Sequence, residues 1–263
     1  MVNEYERLSR QFDIKTLSAC ETGYVDADDC SWYHQNWILL RQLGVVSNPF
    51  WHELFFEAQL KEYVACLDSK VLVLGTADFS MPYLCRQVGL QELHISDICL
   101  TPLNICDMIA ANEGYRWHTS INDIRKGLPT RYDLIVNDAF LTRFEYEKKK
   151  DVLVKIGQAL NAGGKYITTI RKGWNNGKPV IPSKAEKDCF VKKAVELSNR
   201  NSAKNTEASA RQYIERMISY PIKDEAAIIQ LCSDLFSIEH IASIDVPGEC
   251  VESTYFQVVF KKK

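Results

Sequence analysis

Small and acidic residues follow four short apolar or β-branched runs in the middle of this sequence. Their side chains either leave the backbone open to a close ligand or offer it a carboxylate. The candidate ligand contacts are Gly75, Thr76, Ala77 and Asp78, then Asp97 and Ile98, then Asp123 and Ile124, and last Asn137 and Asp138. Parallel strands carry their ligands beyond their carboxyl ends, so we expect these four turns to form one site.

The spacing of the first turns favours a nucleoside as the ligand. Asp97 lies 22 residues beyond Gly75, which suits a carboxylate that accepts hydrogen bonds from both hydroxyls of a ribose. The alternative for Asp97 is an N-cap of the following helix, and that role is compatible with binding. Asp123 and Ile124 offer a polar and an apolar contact to an adenine ring.

The charge of the first turn indicates which nucleoside is bound. A dinucleotide pyrophosphate needs bare backbone amides at a helix N-terminus, whereas this turn carries Asp78 and a single glycine, Gly75. Two like charges about 4 Å apart cost on the order of 1 kcal/mol in water, and more at a lower dielectric. A nucleoside with ammonium and sulfonium groups is attracted instead, and S-adenosylmethionine fits that description.

An aromatic cluster near the N-terminus is a candidate acceptor contact. Helical spacing puts Tyr33, Trp37 and Arg41 on one face, with His34 about 100° further round the helix. Such a helix suits a lid that excludes water and contacts an organic acceptor through Tyr33 and Trp37. The alternative for Trp37 is simple packing of the helix onto the sheet.

Two side chains compete for the role of general base. Histidine titrates near neutrality, so His34 suits the removal of a proton from a hydroxyl or an amine. Asp138 is the rival and would also stabilise a cationic amine. Arg143 and Arg171 flank the same strand ends and could hold a substrate carboxylate in bidentate fashion, or could pair with nearby acids instead.

Alternating strands and helices must position these residues. Candidate strands cover 71–74, 92–96, 116–120, 133–137 and 165–171, and helices are expected over 81–88, 103–112 and 146–160. This alternation indicates right-handed crossovers and a mostly parallel sheet. We expect residues 1–66 to form a helical cap and 67–263 the core, with a helical insertion at about 172–234. Two final strands over 236–244 and 253–263, joined by a turn at Pro247-Gly248, complete the sheet.

The composition excludes several classes of protein. Of 263 residues, 32 are Lys or Arg and 34 are Asp or Glu, and the net charge of −2 argues against a nucleic-acid or anionic-membrane binder. No apolar run reaches the roughly 18 residues of a membrane span, and the charged N-terminus lacks a signal-peptide core. Nine cysteines without a CxxC pair predict no disulfide framework and no metal site. We therefore expect a cytoplasmic protein with reduced thiols.

From about Lys61 to Lys263 the sequence resembles the class I S-adenosylmethionine-dependent methyltransferases. The similar segments are VLVLGTADFS, HISD, SINDI, YDLIVNDAF, LNAGGKYITTIR and ESTYFQVVFK. The resemblance implies a Rossmann-like α/β sheet of order 3-2-1-4-5-7-6 with an antiparallel last strand. It also implies cofactor contacts at residues 75–78, a ribose contact at Asp97 and adenine contacts at Asp123 and Ile124. The family's usual acidic residue two positions before the first glycine is Val73 here, and Asp78 is the candidate replacement that holds the ammonium group.

The sequence therefore predicts methyl transfer from S-adenosylmethionine to an oxygen or nitrogen of a small molecule. The near-neutral charge and the predicted cap favour a small acceptor over a nucleic acid or a protein surface. Two alternatives remain open at this point. They are a nicotinamide-dependent oxidoreductase and an S-adenosylmethionine-binding protein without turnover. The oligomeric state does not follow from the sequence.

Overall fold

The computed structural model describes residues 7–8, 31–66, 68–174, 178–198, 203–232, 234–246 and 253–263. Most of the first thirty residues of the predicted cap and the predicted turn at Pro247-Gly248 lie outside these ranges. No helix in the described ranges is both long and apolar enough to cross a bilayer.

Within the described ranges, seven strands form one mixed sheet. The strands are β1 Val71–Leu74, β2 Glu92–Asp97, β3 Arg116–Ile121, β4 Tyr132–Asn137, β5 Leu160–Arg171, β6 Phe236–Val246 and β7 Ser253–Lys262. Their order is β3-β2-β1-β4-β5-β7-β6, with parallel pairing from β3 to β5 and antiparallel pairing of β7 to both of its neighbours. The predicted fold and strand order are confirmed.

Eight α-helices accompany the sheet in the described part of the chain. They are α1 Ser31–Gln42, α2 Glu53–Val64, α3 Ser80–Val88, α4 Leu100–Glu113, α5 Tyr146–Ala159, α6 Lys184–Leu197, α7 Ala203–Arg216 and α8 Glu225–Cys232. Short 3-10 helices cover Pro49–His52, Ile124–Lys126 and Phe140–Arg143. The apolar run of β1 is buried at all four positions, as expected for a central parallel strand that is covered on both faces.

Each face of the sheet has its own apolar core. One core joins α2, α3 and α4 to the sheet through residues such as Phe56, Leu84 and Ile109. The other core joins α5 and α8 to the opposite face through residues such as Ile156 and Ile228. Helix α2 therefore packs in the same layer as α3, although its sequence lies within the predicted cap of residues 1–66.

A third, smaller core forms between helices from distant parts of the chain. Trp37 and Leu40 of α1 pack against Phe190 of α6 and Tyr213 of α7. The Asn36 side chain donates a hydrogen bond to Gln212 Oε1 at 2.9 Å, which ties α1 to α7. The N-terminal helix and the insertion thus form a single helical layer, which we call the cap layer (α1, α6 and α7).

Candidate functional site

The turns after β1, β2 and β3 are held side by side by backbone hydrogen bonds. The Gly75 amide donates to the Ser96 carbonyl at 2.7 Å, and the Asn122 amide donates to the Asp97 carbonyl at 2.9 Å. Gly75 has a φ of +68°, which is the left-handed region that favours glycine. These turns therefore cluster at one edge of the sheet, as predicted.

Asp97 carries the most unusual carboxyl group of this edge. Its Oδ1 accepts a hydrogen bond from the Cys99 amide at 2.8 Å, so it caps the turn into α4 while its side chain stays partly exposed. Burial raises the pKa of Asp97 from 3.8 to about 7, although the charge of the nearby His34 lowers it. The same carboxyl group is therefore both an N-cap and a candidate ligand contact.

The structure brings His34 of α1 next to Asp97. The side chain of His34 is only 7% exposed, and its Nδ1 has no hydrogen-bond partner among the described residues. A buried polar atom without a partner is costly, unless a ligand supplies the missing bond. The sequence predicts His34 as a general base for the methyl acceptor. In the structure, however, its neighbour is Asp97, which is predicted to bind the ribose.

Asp78 is fully buried and ion-paired, which corrects the charge argument made from the sequence. The Arg41 guanidinium lies 2.6 Å from Asp78 Oδ1, which also accepts the Ser80 amide at 2.7 Å. Because Arg41 neutralises this carboxylate, the turn does not repel a phosphate as a bare Asp78 would. A contact between Asp78 and an ammonium group stays a prediction.

The remainder of the first turn is shaped by Phe140, which follows β4. A Cβ atom at Gly75 would overlap the ring of Phe140, so the ring occupies the space above the glycine. Thr76 is buried, and its hydroxyl donates to the Asp78 carbonyl, whereas Ala77 stays partly exposed. Ala77 therefore offers exposed surface in this turn, whereas the Phe140 ring covers the Cα of Gly75.

The predicted adenine contacts lie at the start of a 3-10 turn after β3. Asp123 accepts the Arg125 amide at 3.0 Å and is held by the Arg125 guanidinium at 2.8 Å. These hydrogen bonds and the charge of Arg125 keep the pKa of Asp123 below its ordinary value, against the effect of burial. Ile124 is 4% exposed and packs in the core. Their contacts to a ligand, and that of the partly exposed Ile98, stay predictions.

Asn137 and Asp138 follow β4 but make different contacts. Asn137 is buried, and its Oδ1 accepts hydrogen bonds from Tyr166 at 3.1 Å and Thr168 at 2.5 Å. Asn137 therefore braces β4 against β5, and a ligand contact for it stays a prediction. Asp138 is partly exposed and accepts from Thr169 Oγ1 at 2.5 Å.

Asp138 is fixed in place by two hydroxyls and by a strained neighbour. Its Oδ2 accepts a hydrogen bond from Ser47 Oγ at 2.9 Å, in addition to the Thr169 bond to Oδ1. Ala139 has a φ of +53°, which costs an alanine energy, and its amide donates to Thr169 Oγ1 at 2.9 Å. Backbone strain of this kind is concentrated at functional sites in proteins.

His52 is a second buried histidine near Asp138. It is 1% exposed, and its Nδ1 lies 3.3 Å from Gln257 Nε2. Burial lowers the pKa of His52, and the negative charge of Asp138 offsets part of that effect.

The aromatic cluster predicted at the N-terminus lies inside the cap layer. Tyr33 and Trp37 stack at 4.6 Å between ring centres, and Tyr213 of the insertion lies 5.7 Å from Trp37. Trp37 is 5% exposed and packs on α6 and α7, so the packing interpretation applies, with helices rather than the sheet as the partner. The exposed Arg143 lies over the Tyr33 ring at 5.3 Å. Substrate contacts for Tyr33, Trp37 and Arg143 stay predictions.

The sequence does not predict the positioning roles of Arg41, Ser47 and Thr169. Arg41 lies over the Trp37 ring at 4.7 Å, bonds Asp78, and donates to the Ser47 carbonyl at 3.0 Å. Ser47 and Thr169 hold Asp138. The i+4 spacing of Arg41 from Trp37 is a visible signal, whereas no pattern links Ser47 or Thr169 to Asp138.

No group of three or more His, Cys, Asp or Glu side chains in the described ranges is arranged to hold a metal ion. Within those ranges the site consists of carboxylates, two imidazoles, an arginine, small turn residues and aromatic rings. Such a set can bind hydroxyl and cationic groups and can accept a proton.

Many solved structures share this fold. Magnesium protoporphyrin IX methyltransferase (ChlM) from Synechocystis PCC 6803, solved with bound SAH, aligns with a TM-score of 0.53 and 15% identity. The alignment covers 97% of this chain and 95% of that one. TehB from Haemophilus influenzae aligns with a TM-score of 0.52 and 12% identity over 78% of this chain, which spans 62% of the TehB chain.

A SAM-dependent methyltransferase from Methanosarcina mazei aligns with a TM-score of 0.52 and 13% identity, over 74% of this chain and 92% of that one. No protein-family model and no curated protein matches the sequence. At these identities the likeness establishes the fold, which is that of the class I S-adenosylmethionine-dependent methyltransferases.

Proposed function

We propose that this protein transfers a methyl group from S-adenosylmethionine to an oxygen or nitrogen atom of a small molecule. The observation that carries the proposal is the position of Asp97 and Asp138. The two partly exposed carboxyl groups follow β2 and β4 of a sheet with this strand order, beside the cap layer. One carboxyl group then serves the nucleoside, and the other serves the acceptor.

The residues around Asp97 fit the nucleoside part of S-adenosylmethionine. A ribose presents two hydroxyl donors, and an ionised Asp97 accepts both. The unpartnered Nδ1 of His34 supplies a further polar contact at the same place. Gly75 and the partly exposed Ala77 are candidate contacts in the turn after β1, and Ile98, Asp123 and Ile124 are the candidate contacts of the adenine.

Bound S-adenosylmethionine supplies a methyl group on a positively charged sulfur, which keeps the bonding electron pair when the methyl leaves. The protein's part is to align the acceptor and take up its proton. We assign the proton to Asp138, because Ser47 and Thr169 fix its carboxylate and the residue stays partly exposed. His34 lies beside Asp97, so we assign it to the nucleoside rather than to the acceptor.

The cap layer supports a small acceptor. Trp37 is 5% exposed and Arg41 bridges α1 to the turn after β1, so α1 covers this edge of the sheet and helps to exclude water. Arg143 of the 3-10 helix after β4 lies over the Tyr33 ring of the cap layer, and Tyr33 stacks on Trp37. They are our candidates for acceptor contacts.

Thermal unfolding with SAH and with NAD tests the choice of cofactor. A ligand at 100 times its dissociation constant stabilises the folded state by about 2.7 kcal/mol, which raises the Tm of a protein of this size by roughly 5–10 °C. We expect that shift with SAH and none with NAD. A shift with NAD alone would support the oxidoreductase and end this proposal.

Turnover of Asp138→Asn tests the chemical role. Across a library of small alcohols, phenols and amines, we expect the wild type to produce methylated product. The variant should lose about 10²–10⁴-fold in kcat with an unchanged SAH affinity, as for the loss of a general base. Asp107→Asn is the control, because this exposed carboxylate lies on α4 and accepts only from Thr119 in the described structure. SAH binding without turnover of any acceptor would support the non-catalytic alternative.

A further inference from the structure

A cleft of about 210 Å³ lies between the cap layer and the end of β5. Its walls are mostly apolar and come from several separate parts of the chain. Val46 follows α1, Phe190 belongs to α6, Ile214 belongs to the end of α7, and Met217 directly follows α7. Small-molecule sites are concave and mostly apolar, with a few polar groups that fix the orientation of the ligand.

The polar groups of this cleft carry a positive balance. Arg171 and Lys172 come from the end of β5, and Glu186 comes from the first turn of α6. Glu186 accepts the Ser183 amide at 2.7 Å in a capping box, so part of its bonding capacity is already used. Arg171 donates to Ser253 Oγ at 3.4 Å, and its positive charge helps to lower the pKa of Glu186.

The lining of the cleft includes close chain neighbours of the two residues that hold Asp138. Val46 precedes Ser47, whose hydroxyl bonds Asp138 Oδ2, and Arg171 lies two residues beyond Thr169, whose hydroxyl bonds Asp138 Oδ1. Residues two apart on a strand point to the same face and have Cα atoms about 6.6 Å apart. The cleft and Asp138 therefore share the end of β5 and the segment after α1.

The rim of the cleft adds exposed apolar surface. Trp174 is 91% exposed, Val180 is 39% exposed, and the adjoining Ile181 is 58% exposed. Both Trp174 and Val180 line the cleft. A large apolar side chain that stays open to water beside an apolar cleft is typical of a binding surface.

We propose that this cleft binds the methyl acceptor, and that the acceptor is an aromatic organic acid whose acidic group contacts Arg171. The ring lies between Met217, Phe190 and the Trp174 rim, and the nucleophilic atom faces Asp138. The role of the bound acid as methyl acceptor rests on the proposed methyl transfer. Binding of the acid itself does not require the cofactor.

Binding of 2-naphthoate and of its neutral analogue 2-naphthamide tests the acidic group. We expect the wild type to bind the acid at least tenfold more tightly than the amide, by calorimetry without cofactor. Arg171→Gln should abolish this preference with little change in amide binding. Arg131→Gln is the matched control, because Arg131 is exposed at the opposite, amino end of β4 and should leave the preference intact.

Trp174→Ala tests the apolar rim. We expect this variant to fold normally, because the Trp174 side chain is 91% exposed. We expect it to weaken the acid and the amide by a similar factor, and 2-naphthoate to quench the fluorescence of wild-type Trp174. Equal binding of acid and amide, or an unchanged preference in Arg171→Gln, would overturn the inference. If SAH fails to bind, the proposed function is wrong. The binding of the acid to the cleft is then still decided by the comparison of acid and amide.

Discussion

Burial and ligand binding make opposite demands on the charge of Asp97. In the free protein, burial favours the neutral acid and raises its pKa to about 7. A ribose that donates two hydrogen bonds needs the ionised form. The affinity for the cofactor should therefore depend on pH near neutrality, in a range where most carboxylates are already ionised.

We expect the affinity for SAH to increase about tenfold between pH 6 and pH 8. Over this range the ionised fraction of a group with a pKa of about 7 increases from about one tenth to about nine tenths. Calorimetric titration at several pH values measures the effect. In Asp97→Asn the affinity should be lower and independent of pH.

His34→Gln provides a second readout of the same group. The charge of His34 lowers the pKa of Asp97, so its removal should move the midpoint of the affinity curve to higher pH. A pH-independent wild-type affinity, or a midpoint that does not move in His34→Gln, would contradict this description of the pair.

The buried ion pair between Arg41 and Asp78 should be essential for stability. Arg41→Gln leaves Asp78 as a buried carboxylate without its counter-charge, and loss of one partner of a buried pair costs about 3–5 kcal/mol. Urea unfolding of Arg41→Gln should show a loss of this size.

The double variant Arg41→Gln/Asp78→Asn separates the charge from the packing. With both charges removed, we expect it to be more stable than Arg41→Gln alone, since no buried charge is left unpaired. If the losses of the two single variants simply add, the ion pair is not what stabilises this junction.

At the scale of the elements, the turn between β1 and α3 depends on a glycine for two separate reasons. Gly75 has a φ of +68°, and its missing Cβ makes room for the ring of Phe140. Gly114, after α4, has the same φ of +68°, but a Cβ atom there would meet no other atom within 4 Å. The two glycines differ only in what surrounds them.

We expect Gly114→Ala to cost about 1–2 kcal/mol of unfolding free energy, from the left-handed conformation alone. Gly75→Ala should cost about 1–3 kcal/mol more, because overpacking displaces the Phe140 ring. Only Gly75→Ala should also weaken SAH binding. Equal stability losses in the two variants, with unchanged SAH affinity, would mean that Phe140 moves aside freely.

The predicted strands agree with the structure to within about two residues for β1 to β4, where apolar runs and polar turns alternate. The start of β5 differs more. The sequence predicts a helix over 146–160 and a strand only from residue 165, whereas β5 begins at Leu160 and Gly163 has a φ of +72° within it. A glycine pair is compatible with both a helix end and an irregular strand, so local pattern does not separate them.

At the scale of the whole molecule, Lys149 ties the segment after β4 to the insertion. It is fully buried in α5, and its ammonium group donates to the carbonyls of Phe144 and Tyr220, the latter at 2.7 Å. Burial lowers its pKa from 10.5 to about 7. The stability of the whole fold should therefore respond to the titration of this one group.

We expect the unfolding free energy to rise with pH between about pH 7 and pH 9. In this window the unfolded chain keeps the proton on Lys149 and the folded protein releases it, so higher pH favours the folded state by at most about 1.4 kcal/mol per pH unit. Urea unfolding at pH 7, 8 and 9 measures the slope.

Lys149→Met should remove this contribution, whereas Lys150→Met should retain it, since Lys150 is the exposed neighbour in the same helix. The comparison between variants is needed because other groups also titrate. Parallel slopes in the wild type and in Lys149→Met would show that Lys149 stays charged in the fold.

Local sequence patterns are sufficient to predict a mostly parallel sheet and the turns at its carboxyl ends, and the family resemblance added the strand order. Buried parallel strands are apolar throughout and their turns need small or acidic residues, so both features are visible over short stretches of chain. Asp97 and Asp138 could therefore be found without a structure. The partners of these residues could not.

Packing in three dimensions established that Arg41 neutralises Asp78, that His34 lies beside Asp97, and that Ser47 and Thr169 hold Asp138. Each of these contacts joins residues at least 31 positions apart. Their charges and pKa values depend on burial and distance, which follow from packing rather than from sequence spacing. For that reason the charge predicted for the first turn was wrong, while the fold was predicted correctly.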